Sequence, residues 1–468
     1  MKQDKPLEIY VLLYLPWLLS LALDFSPVLS YIIAWLGSFF IFYITLTGKL
    51  RQLPQDASIA EQFMRPVFLV HIIFAGYMCT TSIFYFLNVL GYQDFAAPSS
   101  FFLVDEVKLQ LTAQCQRYYC LGHAAFITGI FLFMKYPIQH KYHVEKEKIA
   151  NLLFTVAIVS LPVSTLFLMV SGLAQFYYQL SSLSFIAGTM ALAFAIPQRK
   201  ATNTWICAVL YFFNFYQALI SGFKEPIILS ILVLGIFLYP SYKRVVTITF
   251  VPVLLALFIL LPTYNRVFRE NSWGANTSAD DASQLALDAA LNGGEEADDG
   301  NWIFYVYRLS EIDMFTEFVR STPQQIPFYG PQLLEQSAIV LIPRFFWPSK
   351  PITETLVMER VYNANVINRG SSVSAKPAFI VDAYLSFGGW GVFFFLFLYG
   401  AVCQTISQYA EKIFGGYILG TALVFSGMFQ ILWRGLSFEF LINSVFWSFI
   451  TMLILFKIFR SLNILKPI

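Results

Sequence analysis

The chain has 468 residues and a formal net charge of +2; 57% of its residues are hydrophobic and only 12% are charged. Soluble domains carry about 25% charged residues, so a soluble enzyme is excluded, and the near-neutral balance gives no reason to expect a nucleic-acid partner. The 49 Phe suit lipid-facing and interfacial surfaces.

Taken in chain order, Lys2 and Lys5 precede an apolar run from Leu7 to Leu23. No A-x-A-like cleavage site follows; Asp24-Phe25-Ser26-Pro27 turns instead into a second run, which predicts an uncleaved first membrane helix. A span needs about 20 apolar residues. The runs that qualify are Leu7–Leu23, Val28–Leu46, Pro66–Leu90, Tyr118–Met134, Ile149–Val170, Leu180–Ile196, Thr204–Ile220, Pro226–Tyr239, Val245–Leu261, Ala378–Val402, Gly415–Leu432 and Phe440–Phe459. The predicted fold class is an all-α polytopic membrane protein of about twelve transmembrane helices. Residues 1–262 hold nine of them, 263–377 form one large extracytoplasmic loop with short helices, and 378–468 hold the last three.

Cations in the short loops set the orientation. Lys2 and Lys5, Lys49 and Arg51, Lys135, Lys141, Lys146 and Lys148, Arg199 and Lys200, Lys243 and Arg244, Lys412, and the C-terminal Lys457, Arg460 and Lys466 fall on alternate loops of one side. Both termini are therefore expected in the cytoplasm, and the large loop outside it. The five Cys (Cys79, Cys115, Cys120, Cys207, Cys403) lie in or beside apolar runs without framework spacing. They read as small hydrophobes rather than disulfides or metal ligands. His71 and His123 read as core or interfacial histidines.

The outward segment carries nine cations: Arg266, Arg269, Arg308, Arg320, Arg344, Lys350, Arg360, Arg369 and Lys376. Its first part, Asn276 to Gly300, is rich in Ala, Asp, Glu and Gly and reads as a solvated insertion; its acids do not match an EF-hand loop. Asn301–Arg320 has apolar residues at helical spacing, which predicts one amphipathic helix ended by Thr322-Pro323. Arg308 on it either points into a cleft or belongs to a helix lying at the interface. Leu341-Ile-Pro-Arg-Phe-Phe-Trp-Pro-Ser-Lys-Pro351 contains three prolines, which forbid a continuous helix. It holds Arg344 and Lys350 on a stiffened backbone beside aromatic residues. The two cations are either snorkelling anchors or phosphate ligands, to which Arg offers a planar fork. Arg369-Gly-Ser-Ser-Val-Ser-Ala-Lys376 brings two more cations toward the tenth span, where Asp382 follows in the first turns. Ser221-Gly-Phe-Lys224-Glu225 and Trp433-Arg434-Gly435 form further outward junctions. Cations gathered near the outer leaflet point to an anionic, lipid-linked substrate. The sequence has no Walker loop, H-E-x-x-H, G-x-S-x-G or paired metal-ligand spacing, so neither a metal nor another cofactor is expected.

At these residues the chain resembles the bacterial O-antigen or oligosaccharide repeat-unit polymerases (Wzy-type). Ser221-Gly-Phe-Lys-Glu225 is similar to that family's small-Gly-x-Arg/Lys stretch. Arg308 through Pro323, with Pro327 to Gly330 after it, is the second piece. Ile342-Pro-Arg-Phe-Phe-Trp-Pro-Ser-Lys-Pro351 resembles its Pro-Arg-x-x-Trp-Pro-x-Lys-Pro signature, and Ala383-Tyr-Leu-Ser-Phe-Gly-Gly-Trp-Gly391 resembles its Tyr-x-x-Phe-Gly-x-x-Gly helix start. The resemblance covers roughly Gly222 to Gly400 and implies a metal-independent glycosyltransferase of GT-C-like helical architecture in the bacterial cytoplasmic membrane. Its implied substrate is an undecaprenyl-pyrophosphate-linked oligosaccharide, whose glycan passes to a sugar hydroxyl of a second such unit. Arg344, Asp382 and Glu311 are then the catalytic candidates, with Asp313 a further carboxylate. Lys224, Arg308, Lys350, Arg369, Lys376 and Arg434 are the candidates for holding pyrophosphate and glycan. The partners implied are that lipid-linked glycan, membrane lipid and, on the outward segment, a polysaccharide chain-length regulator. Two rival classes share the anionic substrate: an exporter of lipid-linked sugars, which would line a central cavity with cations, and a ligase, which differs only in its acceptor.

Overall fold

A computed structural model of the chain describes residues 7–145, 148–170, 172–198, 201–220, 224–272, 278–292, 301–371 and 374–468. A 3-10 turn, Leu7–Tyr14, leads into α1 (Leu15–Ala22), which reverses into α2 (Pro27–Leu46). Pro27 occupies the first helical turn, where its missing N–H costs nothing. The hairpin is closed by hydroxyls: Ser20 Oγ donates to Ser30 O at 2.6 Å, and Ser30 Oγ to Ser20 O at 2.9 Å.

Then come α3 (His71–Val89), which opens on a π-turn at His71–Gly76, and α4 (Glu106–Phe133). The Asp105 carboxylate caps α4 by accepting from Lys108 N at 3.0 Å. Helices α5 (Ile149–Met169) and α6 (Gln175–Ala195) form an antiparallel pair, followed by α7 (Ala201–Leu219). The 49-residue α8 (Lys224–Ser272) is broken at Tyr242, two residues after Pro240. The outer elements are α9 (Ala279–Asn292), a π-turn at Tyr305–Leu309, α10 (Ile312–Ser321), α11 (Gln332–Leu341) and α12 (Thr353–Asn363). The chain closes with α13 (Phe379–Ile413), α14 (Ile418–Met428) and α15 (Phe438–Ser461).

The all-α expectation holds; among the described residues the β pairing is confined to the two-residue antiparallel pair of Tyr142–His143 with Lys466–Pro467 and isolated bridges. Among the described residues, seven helices are long and apolar enough to cross a membrane, not the twelve expected. Two predicted spans, Pro226–Tyr239 and Val245–Leu261, lie on the single helix α8. Three others fold as shorter apolar helices, Glu8–Ala22, Thr204–Leu219 and Ile418–Met428. The predicted Tyr118–Met134 lies on α4, whose first half carries Glu106, Lys108, Gln114, Gln116 and Arg117.

Other expectations meet local detail. Residue 262, where the large loop is expected to begin, lies inside α8, which runs on to Ser272. Part of the acidic insertion is helix: Ala282 and Ala286 of α9 are buried in a cluster with Tyr264 and Phe268 of α8. The single amphipathic helix over Asn301–Arg320 is interrupted, because Glu311 adopts a left-handed φ of 57° before α10 begins.

Two contacts explain how α13 sits. A Cβ on Gly400 would lie 2.0 Å from Phe126 O, and one on Gly129 2.0 Å from Phe397 O. Helices α4 and α13 therefore meet backbone to backbone, as small residues permit in membranes. The Phe387–Gly391 stretch kinks α13, with Gly388 at φ 61°, a conformation that disfavours any side chain.

Asp382 and Glu411 lie near opposite ends of α13, and from the Gly388 kink to Glu411 alone the helix runs about 35 Å, more than a hydrocarbon core about 30 Å thick. The Glu411 end gathers the cation-bearing short loops. Arg51 donates to Met134 O at 2.7 Å, Lys141 N donates to Lys412 O at 3.0 Å, and Lys466 pairs with Glu145. Here Arg65 lies between two carboxylates: Nη1 and Nη2 reach Asp56 at 2.7 and 2.6 Å, and Nε and Nη2 both reach Glu411 at 2.9 Å. Burial alone would lower its pKa, but the carboxylates outweigh that and hold it above the usual arginine value. Helices α10, α11 and α12 cover the opposite end.

Candidate functional site at the N-terminal end of α13

The first turns of α13 bring Asp382 under α12. Its Oδ2 accepts from Arg360 Nη2 at 2.8 Å and from Phe438 N at 2.8 Å. Arg360 also holds both Glu439 oxygens, each at 2.7 Å. Asp382 and Glu439 are 0% exposed and Arg360 2%. The desolvation of Arg360 works against its charge, but the two carboxylates outweigh it, so its pKa stands above the ordinary value. Asp382, expected as a base, is therefore committed to an ion triad that pins α12, α13 and α15 together. Arg360 was not singled out by motif. Its signal was an arginine among Val357, Met358 and Val361 on the buried side of α12.

Around this triad lie cations that reach water. Arg369 forks onto Glu359 at 3.1 and 2.9 Å, with Asn363 Oδ1 at 3.1 Å, and sits 5.2 Å over the Tyr362 ring. Lys376 pairs with Glu354 at 3.3 Å and lies 4.7 Å over the Phe440 ring. Ser374 donates to the same Glu354. Exposed Arg434 ends the turn Ile431–Arg434, and a bridge between Ala378 and Leu436 draws that turn beside the Lys376 approach. Arg369, Lys376 and Arg434 thus share the mouth of α13 with α12.

The Pro-rich stretch is folded on itself. Arg344 Nη1 and Nη2 donate to the carbonyls of Pro348 and Pro351 at 3.3 and 3.1 Å. Lys350, expected as a phosphate ligand, is buried and donates to Val340 O and Ile342 O at 2.9 and 2.6 Å. It caps the C-terminal carbonyls of α11, where a cation is favoured. Burial, then the charge of Arg344, keeps the Lys350 pKa below its usual value. This segment is anchored to α15 by Trp447 Nε1, which donates to Leu341 O at 3.0 Å.

Arg308 and Glu311 stand at the π-turn and the left-handed step before α10. Beside them, Asp313 is half-buried. Desolvation raises its carboxyl to about 6, against the opposing pull of the Met314 N–H and the Arg308 and Lys108 charges. Tyr119 OH donates to Ser310 O at 3.4 Å, and Tyr384 OH donates to Thr322 O at 2.8 Å. These bonds tie α10 to α4 and α13 at the same end of α13. Asp313 combines a raised carboxyl with partial exposure, where Asp382 is enclosed against Arg360, and so suits a base near neutrality. Lys224 begins α8, but its side chain and Ser221–Phe223 lie outside the described residues. Among the described residues, no group of three His, Cys, Asp or Glu is placed to hold a metal ion.

Long apolar helices joined backbone to backbone, with charged clusters buried at both ends of the longest of the last three, define an all-helical membrane protein. The chain belongs to the family described as Domain of unknown function (DUF8712), which matches residues 15–467. No curated protein and no solved structure matches it.

Proposed function

We propose that the protein is a polysaccharide polymerase of the bacterial cytoplasmic membrane. It transfers the glycan of one undecaprenyl-pyrophosphate-linked oligosaccharide to a sugar hydroxyl of another at the outer face. In this reading twelve segments cross the bilayer in a GT-C-like arrangement, α8 supplying two of them at its Tyr242 break. Both termini are cytoplasmic, and residues 263–377 face outward.

The observation that carries the proposal is the mouth of α13. Arg369 and Lys376 stand there in water-exposed pairs with Glu359 and Glu354, above the fixed Arg360 triad. Exposed ion pairs contribute little to stability, so an incoming diphosphate can replace the carboxylates and take bidentate bonds from arginine. As the sugar–phosphate bond breaks, negative charge grows on the departing diphosphate, and cations already in position stabilise it. Arg434 adds charge beside the same mouth. The acceptor hydroxyl loses its proton to Asp313, with Arg308 and Glu311 placing the segment that holds it. No step in this scheme draws on a metal or another cofactor. Arg344 and Lys350 serve by stiffening the outer rim.

The test uses purified protein and a synthetic undecaprenyl-pyrophosphate-linked oligosaccharide, with the products separated on a gel. A ladder is expected from the wild type, and single units from Arg369→Ala/Lys376→Ala. Transfer only to a different acceptor would identify a ligase, and unlengthened glycan from the wild type would end the proposal.

A further inference from the structure

Through α2, α3 and α4 runs a line of buried polar side chains that the outer-face chemistry does not use. At its outer end Asp24 pairs with Arg117 at 2.7 Å, and Arg117 donates to Ser30 Oγ at 2.8 Å. Deeper, the Tyr31 hydroxyl meets Ser82 Oγ at 2.8 Å, and Ser82 donates to Gln116 Oε1 at 2.7 Å. The Cys79 thiol follows, directed at Tyr119 O at 3.6 Å. Next come two imidazoles in contact, His123 Nε2 and His71 Nδ1 lying 3.1 Å apart. Both are buried, at 2% and 0% exposure, and the Phe42 ring packs on both, 5.0 and 4.2 Å away. From Ser30 to Thr45 this line follows about 22 Å of helix axis, most of a hydrocarbon core about 30 Å thick.

Three buried atoms on the line have no hydrogen-bond partner among the described residues, Thr45 Oγ1, His71 Nε2 and His123 Nδ1, while the Ser38 hydroxyl pairs with the Cys79 thiol. Ser38 and Thr45 lie about two turns apart on α2, with Phe42 between them. Buried polar atoms are rarely left unpaired without a role. Next to the pair is a cavity of about 10 Å³, lined by Cys79, Tyr119 and His123 among apolar residues. Such a volume admits about one water. The π-turn that carries His71 is an irregularity often found at functional positions. The groups facing the imidazoles are uncharged: Phe42 from α2, Cys79 from α3, Tyr119 from α4, and Ile380 and Leu396 from α13.

We propose that the α2–α4 seam relays protons through the membrane-spanning core, with His71 and His123 as its central step. Two neutral imidazoles sharing one hydrogen bond leave one free N–H donor and one free acceptor nitrogen, at opposite ends of the pair. A proton taken up by the free acceptor releases the shared proton to the second ring, which gives up its own N–H proton on the far side. One proton enters and one leaves, and nothing is oxidised or reduced. The Ser38 and Thr45 hydroxyls, each donor and acceptor, stand on either side of Phe42 to pass the proton on. Asp24, half exposed beside Arg117, is the collecting group at the outer mouth. This proposal is independent of the glycan chemistry.

The test places the purified full chain in liposomes containing a pH-sensitive dye, with a potassium gradient and valinomycin setting the potential. Wild-type vesicles are expected to acidify severalfold faster than protein-free ones. His123→Gln and His71→Gln keep a hydrogen-bonding side chain but cannot carry a ring proton, and are expected to fall to the protein-free rate while eluting as monodisperse protein. Should either elute as aggregate, Ser38→Val decides in the same way, because it removes one hydroxyl and leaves the imidazole pair intact. A wild-type rate equal to that of protein-free vesicles, or monodisperse variants as fast as wild type, overturns the proposal.

Discussion

Arg360 and Arg369 lie nine residues apart and illustrate opposite uses of one side chain. Arg360 is enclosed with two carboxylates, and removing one partner of such a buried cluster costs about 3–5 kcal/mol. Arg360→Ala is therefore expected to lower the melting temperature in detergent sharply, with the proposed glycan transfer lost as a consequence of unfolding. Arg369 pairs with Glu359 in water, so Arg369→Ala should melt near the wild-type temperature. Its transfer rate should nonetheless fall by about 100-fold, the scale seen when one charge-stabilising donor is removed. Equal melting losses for the two variants would contradict this division. Asp313 gives a pH signature. Folding raises its carboxyl from 3.8 to about 6, so the folded protein holds that proton more tightly. The associated stability is complete below the unfolded value and is lost as pH rises through about 6. Glycan transfer should rise over the same interval as the base ionises, and Asp313→Asn should abolish that rise. A wild-type rate that is flat between pH 5 and 8 would remove Asp313 from the mechanism.

Among the elements, α13 organises the molecule, and the glycines on it and around it divide by what surrounds them. Gly400 and Gly129 lie against backbone atoms that cannot move aside. Gly400→Leu should thus cost about 1–3 kcal/mol or more, seen as a lower melting temperature and poor yield. Gly370 has open space around it, and Gly370→Ala should change neither. At its two ends α13 carries carboxylates that arginine holds from loops and helices distant in sequence, Arg65 with Glu411 and Arg360 with Asp382. The hydropathy of α13 was legible because a run of apolar residues declares itself locally. The pairing was not, because residues 65 and 411 become neighbours only when α3, α13 and α14 pack.

At the scale of the whole molecule, the short-loop cations collect at the Glu411 end while α10, α11 and α12 cover the Asp382 end. Cysteines placed at Trp347 and Lys466 in a chain cleared of its five native Cys are expected to react with an impermeant thiol reagent from opposite sides of the membrane. Labelling of both from the same side would refute the proposed orientation and the outer-face chemistry with it.

The sequence by itself determined the class and most of the helices. Apolar runs, turn-forming prolines and the scarcity of charge act over a few residues and survive any arrangement of neighbours. It placed Asp382 in the first turns of α13 and gathered the cations of residues 263–377. What each charge does was decided by tertiary structure. Lys350 met the open carbonyls of α11, Asp382 met Arg360, and Asp313 became a weak acid by burial. His71 met His123 across two helices. A side chain's partners and its access to water depend on which elements pack against it, and that is fixed only when distant segments come together.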